Sequence, residues 1–259
     1  MKKYIITVLA HPRTGTNYLM CFLEKFFPHF NVNFEIFNPQ NCFMNEKYIT
    51  GILEKYHLVR NSTNQNKLVK LAREGPILFL RNLIEISQEE VIIHKIFPHH
   101  LTNHQLQSVL CISDLVLVVD RKFLDVFISL EKTKYLLERK VENPWILVDT
   151  TDIKINVDPD HFERDLKIYQ IWYRDNYITL QNLQVPVFQI SYEIFHQLDS
   201  SEKINHLREI FQNFIPPEFL KVKTKDSNLL HKQDRNLDYS QKIINYSELV
   251  ELGFFKMYN

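Results

Sequence analysis

The stretch YIITVLAHPRTGTNYL, residues 4–19, decides the fold of this chain. Tyr4 to Ala10 is a short apolar run rich in β-branched residues, which predicts a buried strand. A turn containing Gly15 follows, and residues 17–27 then carry the apolar spacing of a helix. The chain is therefore expected to open with a strand, a tight turn and a helix.

The turn between this strand and helix has the composition of an anion site. The first N–H groups of a helix lack intrahelical partners, and the helix dipole is positive there. Gly15 would let the backbone close on an oxyanion, Arg13 adds a positive charge, and Thr14, Thr16 and Asn17 add donors. No lysine follows the glycine, unlike the GxxxxGK[ST] pattern of ATP and GTP sites. We expect a phosphorylated ligand other than a metal-bound triphosphate; the alternative is a strand–turn–helix with no ligand.

A second segment predicts another strand-to-helix junction. LVLVVD, residues 115–120, is typical of a buried parallel strand, and RKFLDVFISLEKTKYLLERK then carries a helical apolar stripe. Arg121 falls at the carboxyl end of this strand and Ser129 about two turns into the helix. Ligands of doubly wound sheets bind at that edge, and an arginine fork suits a phosphate. The alternative is an exposed arginine and a solvent-facing serine.

Taken together, the two segments resemble the sulfotransferase superfamily. HPRTGTNYL is similar to its 5′-phosphosulfate loop, usually PRSGTTWL or PKSGTTWL, and RKFLDVFIS is similar to its 3′-phosphate motif. The resemblance implies a P-loop-like sulfotransferase fold that binds 3′-phosphoadenosine 5′-phosphosulfate (PAPS), releases adenosine 3′,5′-bisphosphate (PAP) and uses no metal. The loop residues that it assigns to the 5′ end are Pro12, Arg13, Thr14, Gly15, Thr16, Asn17 and Tyr18.

The same resemblance assigns the 3′-phosphate to Arg121 and Ser129. This chain departs from the family pattern by Thr14 for serine, by Asn17-Tyr18 for Thr-Trp, and by Asp120 just before the arginine. The first two departures keep donors and an aromatic ring. Asp120 would weaken the positive field unless its carboxylate points away.

Weaker similarities extend along the rest of the chain. VFQISYEIF, residues 187–195, resembles the family segment whose tyrosine lies near the nucleotide, which implies cofactor contact by Tyr192. NLLHKQDRNLDYSQKIINYSEL resembles the C-terminal stretch of bacterial and Golgi-type members, where Lys232 and Gln233 would close over the cofactor. The alternative for Lys232 is a solvated surface lysine.

Glu35 is the first candidate for the base that takes the proton of the acceptor. It lies in NVNFEIFNP, expected at the end of the second strand, which resembles a GEIFN-type segment whose glutamate has that role in the family. Its apolar neighbours Phe34, Ile36 and Phe37 would partly desolvate the carboxylate, which suits a general base. The alternative is a glutamate that is exposed or paired with a structural cation.

The second group of candidates lies in IIHKIFPHHL, residues 92–101. Cytosolic family members carry KTHLP there, with a histidine base, but Phe97 occupies that position when the lysines are aligned. The nearby His94, His99 and His100 stay open as alternatives to Glu35, each with a core or loop role as its simpler explanation. Lys95 is expected near the transferring sulfonate as a cation.

Composition agrees with one enzyme domain over residues 1–259. The chain is 45% apolar and has only four glycines, which favours a single domain with a large core. Its formal net charge is zero, so general nucleic-acid binding is not expected. Three cysteines outside any CxxC pattern and no spanning helix favour a cytoplasmic location. Residues from about 216 to 259 are expected to form a flap over the cofactor site.

Alternating strands and helices predict an α/β fold with a mostly parallel central sheet flanked by helices on both faces. The expected strands are 4–10, 32–37, 90–97, 115–120 and 186–191. The expected helices are 17–27, 45–56, 66–73, 122–139, 160–183 and 201–214.

Three functions remain from the sequence. The first is sulfuryl transfer to a hydroxyl acceptor, with a carbohydrate or glycolipid suggested by family analogy. The second is a nucleotide-binding protein of the same fold that has lost its chemistry. The third is a kinase of the wider P-loop group, against which the missing Lys-Ser/Thr pair counts.

Overall fold

The computed structural model describes residues 2–58, 64–141, 148–223 and 238–258. These residues form two compact units. The first runs up to Asp120 and resumes at Asn176; the second begins at Arg121 and runs to Asp175, with the C-terminal residues from Leu230 onward. The expected single domain and its C-terminal flap stay predictions.

The first unit is built on a five-stranded sheet in which all paired strands are parallel. Its strands are β1 (Tyr4–Ala10), β2 (Phe30–Val32), β3 (Val91–Ile96), β4 (Leu115–Asp120) and β5 (Val187–Ser191). Their order across the sheet is β2-β3-β1-β4-β5. Because β1 is central and β3 lies between β1 and β2, the loops that follow these three strands leave the same edge of the sheet as neighbours.

Both faces of β1 are covered, which explains its continuous apolar sequence. One core cluster contains Ile6, Val8 and Ala10 of β1 together with apolar residues of the helices at 16–26 and 200–211. On the opposite face of the strand, Ile5 and Leu9 are also buried. A parallel strand that is buried on both faces has a continuous apolar sequence rather than alternating apolar and polar residues. The predicted α/β fold with a parallel sheet flanked by helices is confirmed.

The helices of the first unit surround this sheet. They are α1 (Thr16–Phe26), α2 (Glu46–Lys55), α3 (Asn64–Glu74), α4 (Pro76–Ile86), α5 (Asn103–Cys111), α8 (Tyr192–Gln197) and α9 (Ser200–Phe211). Helix α7 (Pro159–Leu183) begins in the second unit and ends in the first. The sequence reading missed α4 and α5, although Thr102 and Gln105 form a capping box that marks the start of α5.

The second unit has its own aromatic core. It contains α6 (Phe123–Glu138), most of α7, α10 (Tyr246–Glu251) and α11 (Phe254–Tyr258). The Phe162 ring lies 5.2 Å from that of Phe127 and 4.9 Å from that of Phe254, centroid to centroid. Within the described residues of both units, no helix combines the length and apolar character needed to cross a membrane.

One strand differs from its expected position. The second strand was expected over 32–37, but β2 ends at Val32. The following residues still run beside β3, because Asn33 N–H donates to the Ile93 carbonyl at 2.8 Å and Lys95 N–H donates to the Phe34 carbonyl at 3.0 Å. The chain then turns, with Asn38 N–H donating to the Glu35 carbonyl at 3.1 Å. Glu35 therefore lies in the turn after β2 rather than in the strand.

Candidate functional site

The turn between β1 and α1 is held by backbone conformations that few residues adopt. Arg13 and Gly15 both have left-handed backbones, with φ values of 71° and 82°. Thr14 is fully buried, and its hydroxyl donates to the His11 carbonyl at 2.7 Å. The Thr14 hydroxyl hydrogen therefore closes the turn, and the expected contact of Thr14 with a ligand stays a prediction.

The start of α1 has the features of an anion site. Gly15 is the N-cap and offers no side chain to the first N–H groups, and the first turn of the helix contains no acidic residue. The Gly15 carbonyl already accepts from the N–H of Tyr18, at 3.0 Å. The N–H groups of Thr16 and Asn17 come before this donor in the chain, where the helix itself provides no carbonyl acceptor. An anion placed there would meet these donors and the positive end of the helix dipole.

The ring of Tyr192 lies directly against Gly15. A Cβ atom added to Gly15 would overlap the Cδ2 and Cε2 atoms of that ring. Tyr192 begins α8, immediately after β5, and its ring stacks on His196 with centroids 5.3 Å apart. The ring of Tyr18 meets the same imidazole edge-on at 5.7 Å. The structure thus places Tyr192 and Tyr18 beside the turn, where the sequence assigned both to the cofactor.

Lys95 joins this turn to the second candidate segment. It lies near the carboxyl end of β3, and only 1% of the side chain is exposed. Its ammonium group donates to Asn17 Oδ1 and lies 3.0 Å from Glu35 Oε1. The rings of Phe34 and Phe97 lie 5.4 and 4.8 Å from the ammonium nitrogen.

Burial lowers the pKa of Lys95, and Arg13 adds a smaller effect in the same direction. The carboxylate of Glu35 opposes both effects because it favours the charged ammonium. Arg13 is therefore close enough to Lys95 to repel its ammonium group.

Glu35 has partners on both carboxylate oxygens. Oε1 faces Lys95, while Oε2 accepts from Asn38 Nδ2 at 2.7 Å and lies 3.7 Å from His100 Nε2. The side chain of Glu35 is 18% exposed, so the carboxylate is partly desolvated. The structure therefore brings together Glu35, Lys95 and Asn17, which the sequence had assigned separately.

The three histidines near β3 have different environments. His94 is fully buried, with Nε2 3.2 Å from the hydroxyl oxygen of Thr7, and burial lowers its pKa to about 3. His99 is exposed. His100 is buried beside Glu35, and burial lowers its pKa to about 4. His94 therefore contacts Thr7 of the neighbouring strand β1, whereas His100 lies beside the candidate base Glu35. The spacing of the histidines in the sequence does not distinguish these two environments.

The residues assigned to the 3′-phosphate belong to the second unit. Arg121 follows β4 directly, and its carbonyl accepts from the hydroxyl of Tyr169 at 3.0 Å. Ser129 lies in α6, where its carbonyl accepts from the hydroxyl of Thr133 at 2.8 Å. Their phosphate-binding role stays a prediction.

Asp120, which departs from the family pattern, is engaged within the first unit. Its Oδ2 atom accepts from Gln189 Nε2 of β5. Burial raises the pKa of Asp120, which favours the neutral form. The hydrogen bond from Gln189 acts in the opposite direction, because it stabilises the charged carboxylate. Lys232 and Gln233 lie outside the described residues.

No protein-family model matches this chain, and no curated protein matches it.

Proposed function

We propose that this chain is a sulfotransferase that moves the sulfuryl group of PAPS to a hydroxyl acceptor. The observation that carries the proposal is the position of Lys95. Its ammonium group contacts Asn17, in the first turn of α1, and Glu35, in the turn after β2. One buried cation thus connects the candidate anion site to the candidate base.

The proposed chemistry needs few groups. The acceptor oxygen attacks sulfur, the bond from sulfur to the bridging oxygen of the 5′-phosphate breaks, and PAP leaves with the bond electrons. Glu35 takes the acceptor proton, while Lys95, Arg13 and the N–H groups of α1 stabilise charge on the sulfonate and the leaving phosphate. Placing such groups before the reaction supplies much of the rate of group transfer.

The acceptor is proposed only as a hydroxyl compound. A carbohydrate or glycolipid is suggested by the family resemblance, which is an argument from analogy. Glu35 is the group that supports a hydroxyl, because such an acceptor must lose a proton during transfer and needs a base within reach.

A second candidate is a nucleotide-binding protein of the same fold without chemistry. It is favoured by the partners of Glu35, since Lys95 and Asn38 both bind its carboxylate. Donors on both oxygens hold the carboxylate in place and leave fewer lone pairs for the proton of an acceptor. A P-loop kinase is a more distant candidate.

Binding and turnover separate these candidates. Calorimetry with PAP, with and without Mg²⁺, should give metal-independent binding for either of the first two candidates. A preference for ATP with Mg²⁺ would indicate the kinase. Transfer of label from ³⁵S-labelled PAPS to a panel of hydroxyl compounds then distinguishes the enzyme from the binding protein. A chain that binds neither nucleotide would contradict all three.

A further inference from the structure

His100 lies at one end of a set of polar contacts whose other end is Asn17, in the first turn of α1. Its Nδ1 atom accepts from the backbone N–H of Phe97 at 3.2 Å, and its Nε2 atom lies 3.7 Å from Glu35 Oε2. The other oxygen of Glu35 faces Lys95, which contacts Asn17. Four side chains from three parts of the sequence therefore form one network, since Lys95 and His100 lie in the same segment.

The backbone contact determines where the imidazole carries its hydrogen. In neutral histidine one ring nitrogen donates and the other accepts. Because Nδ1 accepts from Phe97 N–H, the hydrogen of neutral His100 resides on Nε2 and points toward Glu35. The side chain is 5% exposed, so water does not readily replace either contact.

We propose that His100 is a positioning residue for Glu35. Its Nε2–H orients the carboxylate so that one oxygen can take the proton of the acceptor. The separation of 3.7 Å is longer than a hydrogen bond, and contacts of this kind tighten when a substrate completes the site. This inference rests on the proposed function, since it assigns His100 a role through the base of that reaction.

The charges around His100 agree with a neutral imidazole. Burial is the main effect that lowers its pKa, to about 4, and Lys95, Arg73 and His99 act in the same direction. Glu35 opposes them by favouring the protonated ring. At neutral pH the imidazole is therefore a neutral donor, which can orient a carboxylate without permanently neutralising its charge.

The test compares two amide substitutions that replace different nitrogens of the ring. His100→Gln places an amide near the Nε2 position and keeps a donor toward Glu35. His100→Asn places its amide near the Nδ1 position, so it keeps the contact with Phe97 and loses that donor. His99→Asn is the matched control because His99 is adjacent and exposed, and asparagine tolerates its left-handed backbone, with φ at 68°.

We expect His100→Asn to lower kcat about 10- to 100-fold with the KM of the acceptor and the Kd of PAP within about twofold. His100→Gln should recover most of kcat, and His99→Asn should match the wild type. A merely structural role predicts equal losses in the Gln and Asn variants, and that result would overturn the proposal.

Nitrogen NMR of the imidazole gives a readout that does not depend on activity. Neutral His100 should carry its hydrogen on Nε2, and Glu35→Gln should lower the pH at which His100 titrates. A hydrogen on Nδ1, or an unchanged titration, would overturn the contact. If the wild type neither binds PAP nor transfers sulfuryl groups, the proposed function fails, and the NMR result still decides the His100–Glu35 contact.

Discussion

At the scale of single residues, the structure places a buried ammonium next to a partly exposed carboxylate. Lys95 is 1% exposed and Glu35 is 18% exposed, with 3.0 Å between the ammonium nitrogen and Oε1. Removing one member of a buried pair leaves the other charge uncompensated. A substitution that tests the base should therefore keep the size of Glu35 and one oxygen that accepts from Lys95, while removing the basicity.

Glu35→Gln meets that condition. We expect turnover to fall on the order of 10²- to 10⁴-fold, because the amide cannot take the proton of the acceptor. The affinity for PAP should hold, since the substitution leaves the turn at α1 intact. Labelled-PAPS transfer and calorimetry measure the two quantities.

The exposed histidine next to this site provides the control. His99→Asn should keep its turnover because the imidazole lies outside the described contacts of Glu35. If Glu35→Gln keeps most of its activity, Glu35 is structural and another group takes the proton. His100 would then be the first residue to examine.

Arg121 carries the second prediction at this scale. If Arg121 binds the 3′-phosphate as the family resemblance implies, Arg121→Ala should weaken PAP binding by about 2–4 kcal/mol through loss of a two-pronged contact. Adenosine 5′-phosphosulfate lacks that phosphate, so its binding should change far less. Calorimetry with both ligands measures the difference.

Arg174→Ala is the matched control, since this arginine is 65% exposed and pairs with Asp175 at the surface. Its effect on either ligand should be within about 0.5 kcal/mol. Equal losses for both ligands in Arg121→Ala would show that Arg121 does not read the 3′-phosphate.

At the scale of elements, the turn between β1 and α1 depends on Gly15. Its φ of 82° costs a residue with a side chain about 1–2 kcal/mol. A Cβ would also overlap the ring of Tyr192. Gly15→Val should therefore move the turn and α8 apart and abolish measurable PAP binding, as read by calorimetry.

Gly75 provides a matched glycine for comparison. It is the N-cap of α4, with φ of −129°, and a Cβ there would meet its nearest atom, the Leu71 carbonyl oxygen, at 3.7 Å. Gly75→Ala should bind PAP like the wild type. Normal PAP binding by Gly15→Val would mean that this turn does not hold the phosphate.

At the scale of the whole molecule, buried histidines predict how stability depends on pH. Burial lowers the pKa of His94 to about 3 and that of His100 to about 4, from an ordinary value of 6.5. Between those values and 6.5 the unfolded chain binds more protons than the folded one. The free energy of unfolding should therefore fall as pH drops below 6.5, by up to about 1.4 kcal/mol per pH unit for each histidine.

Urea unfolding between pH 7.5 and pH 4.5, a range of about three units, measures this slope. His94→Gln removes one titrating group, so its slope should be flatter than that of the wild type, whatever the cost of the substitution at neutral pH. His104→Gln, at an exposed position, gives the reference for losing a surface imidazole. An unchanged slope in His94→Gln would mean that His94 does not contribute to the pH dependence.

The sequence by itself determined the elements that local pattern controls. Apolar runs with β-branched residues predicted β1 and β4, since a strand buried on both faces needs them. The turn after β1 was predicted because Gly15 lets the backbone close tightly. Helix α4 was missed although Pro76 at its start and the spacing of Phe79, Leu80 and Leu83 are local helix signals. The end of β2 was missed because the residues after Val32 stay beside β3 before the chain turns.

Only the tertiary structure decided which polar residues meet. Asn17, Glu35 and the segment that holds Lys95 and His100 are far apart in the chain, and no spacing rule relates them. They come together because β3 lies between β1 and β2, so the loops after three parallel strands share one edge of the sheet. The sequence predicted Glu35 as a candidate base and Lys95 as a candidate cation. The strand order placed Lys95 in contact with both Glu35 and Asn17, in the first turn of α1. It also placed His100 beside Glu35.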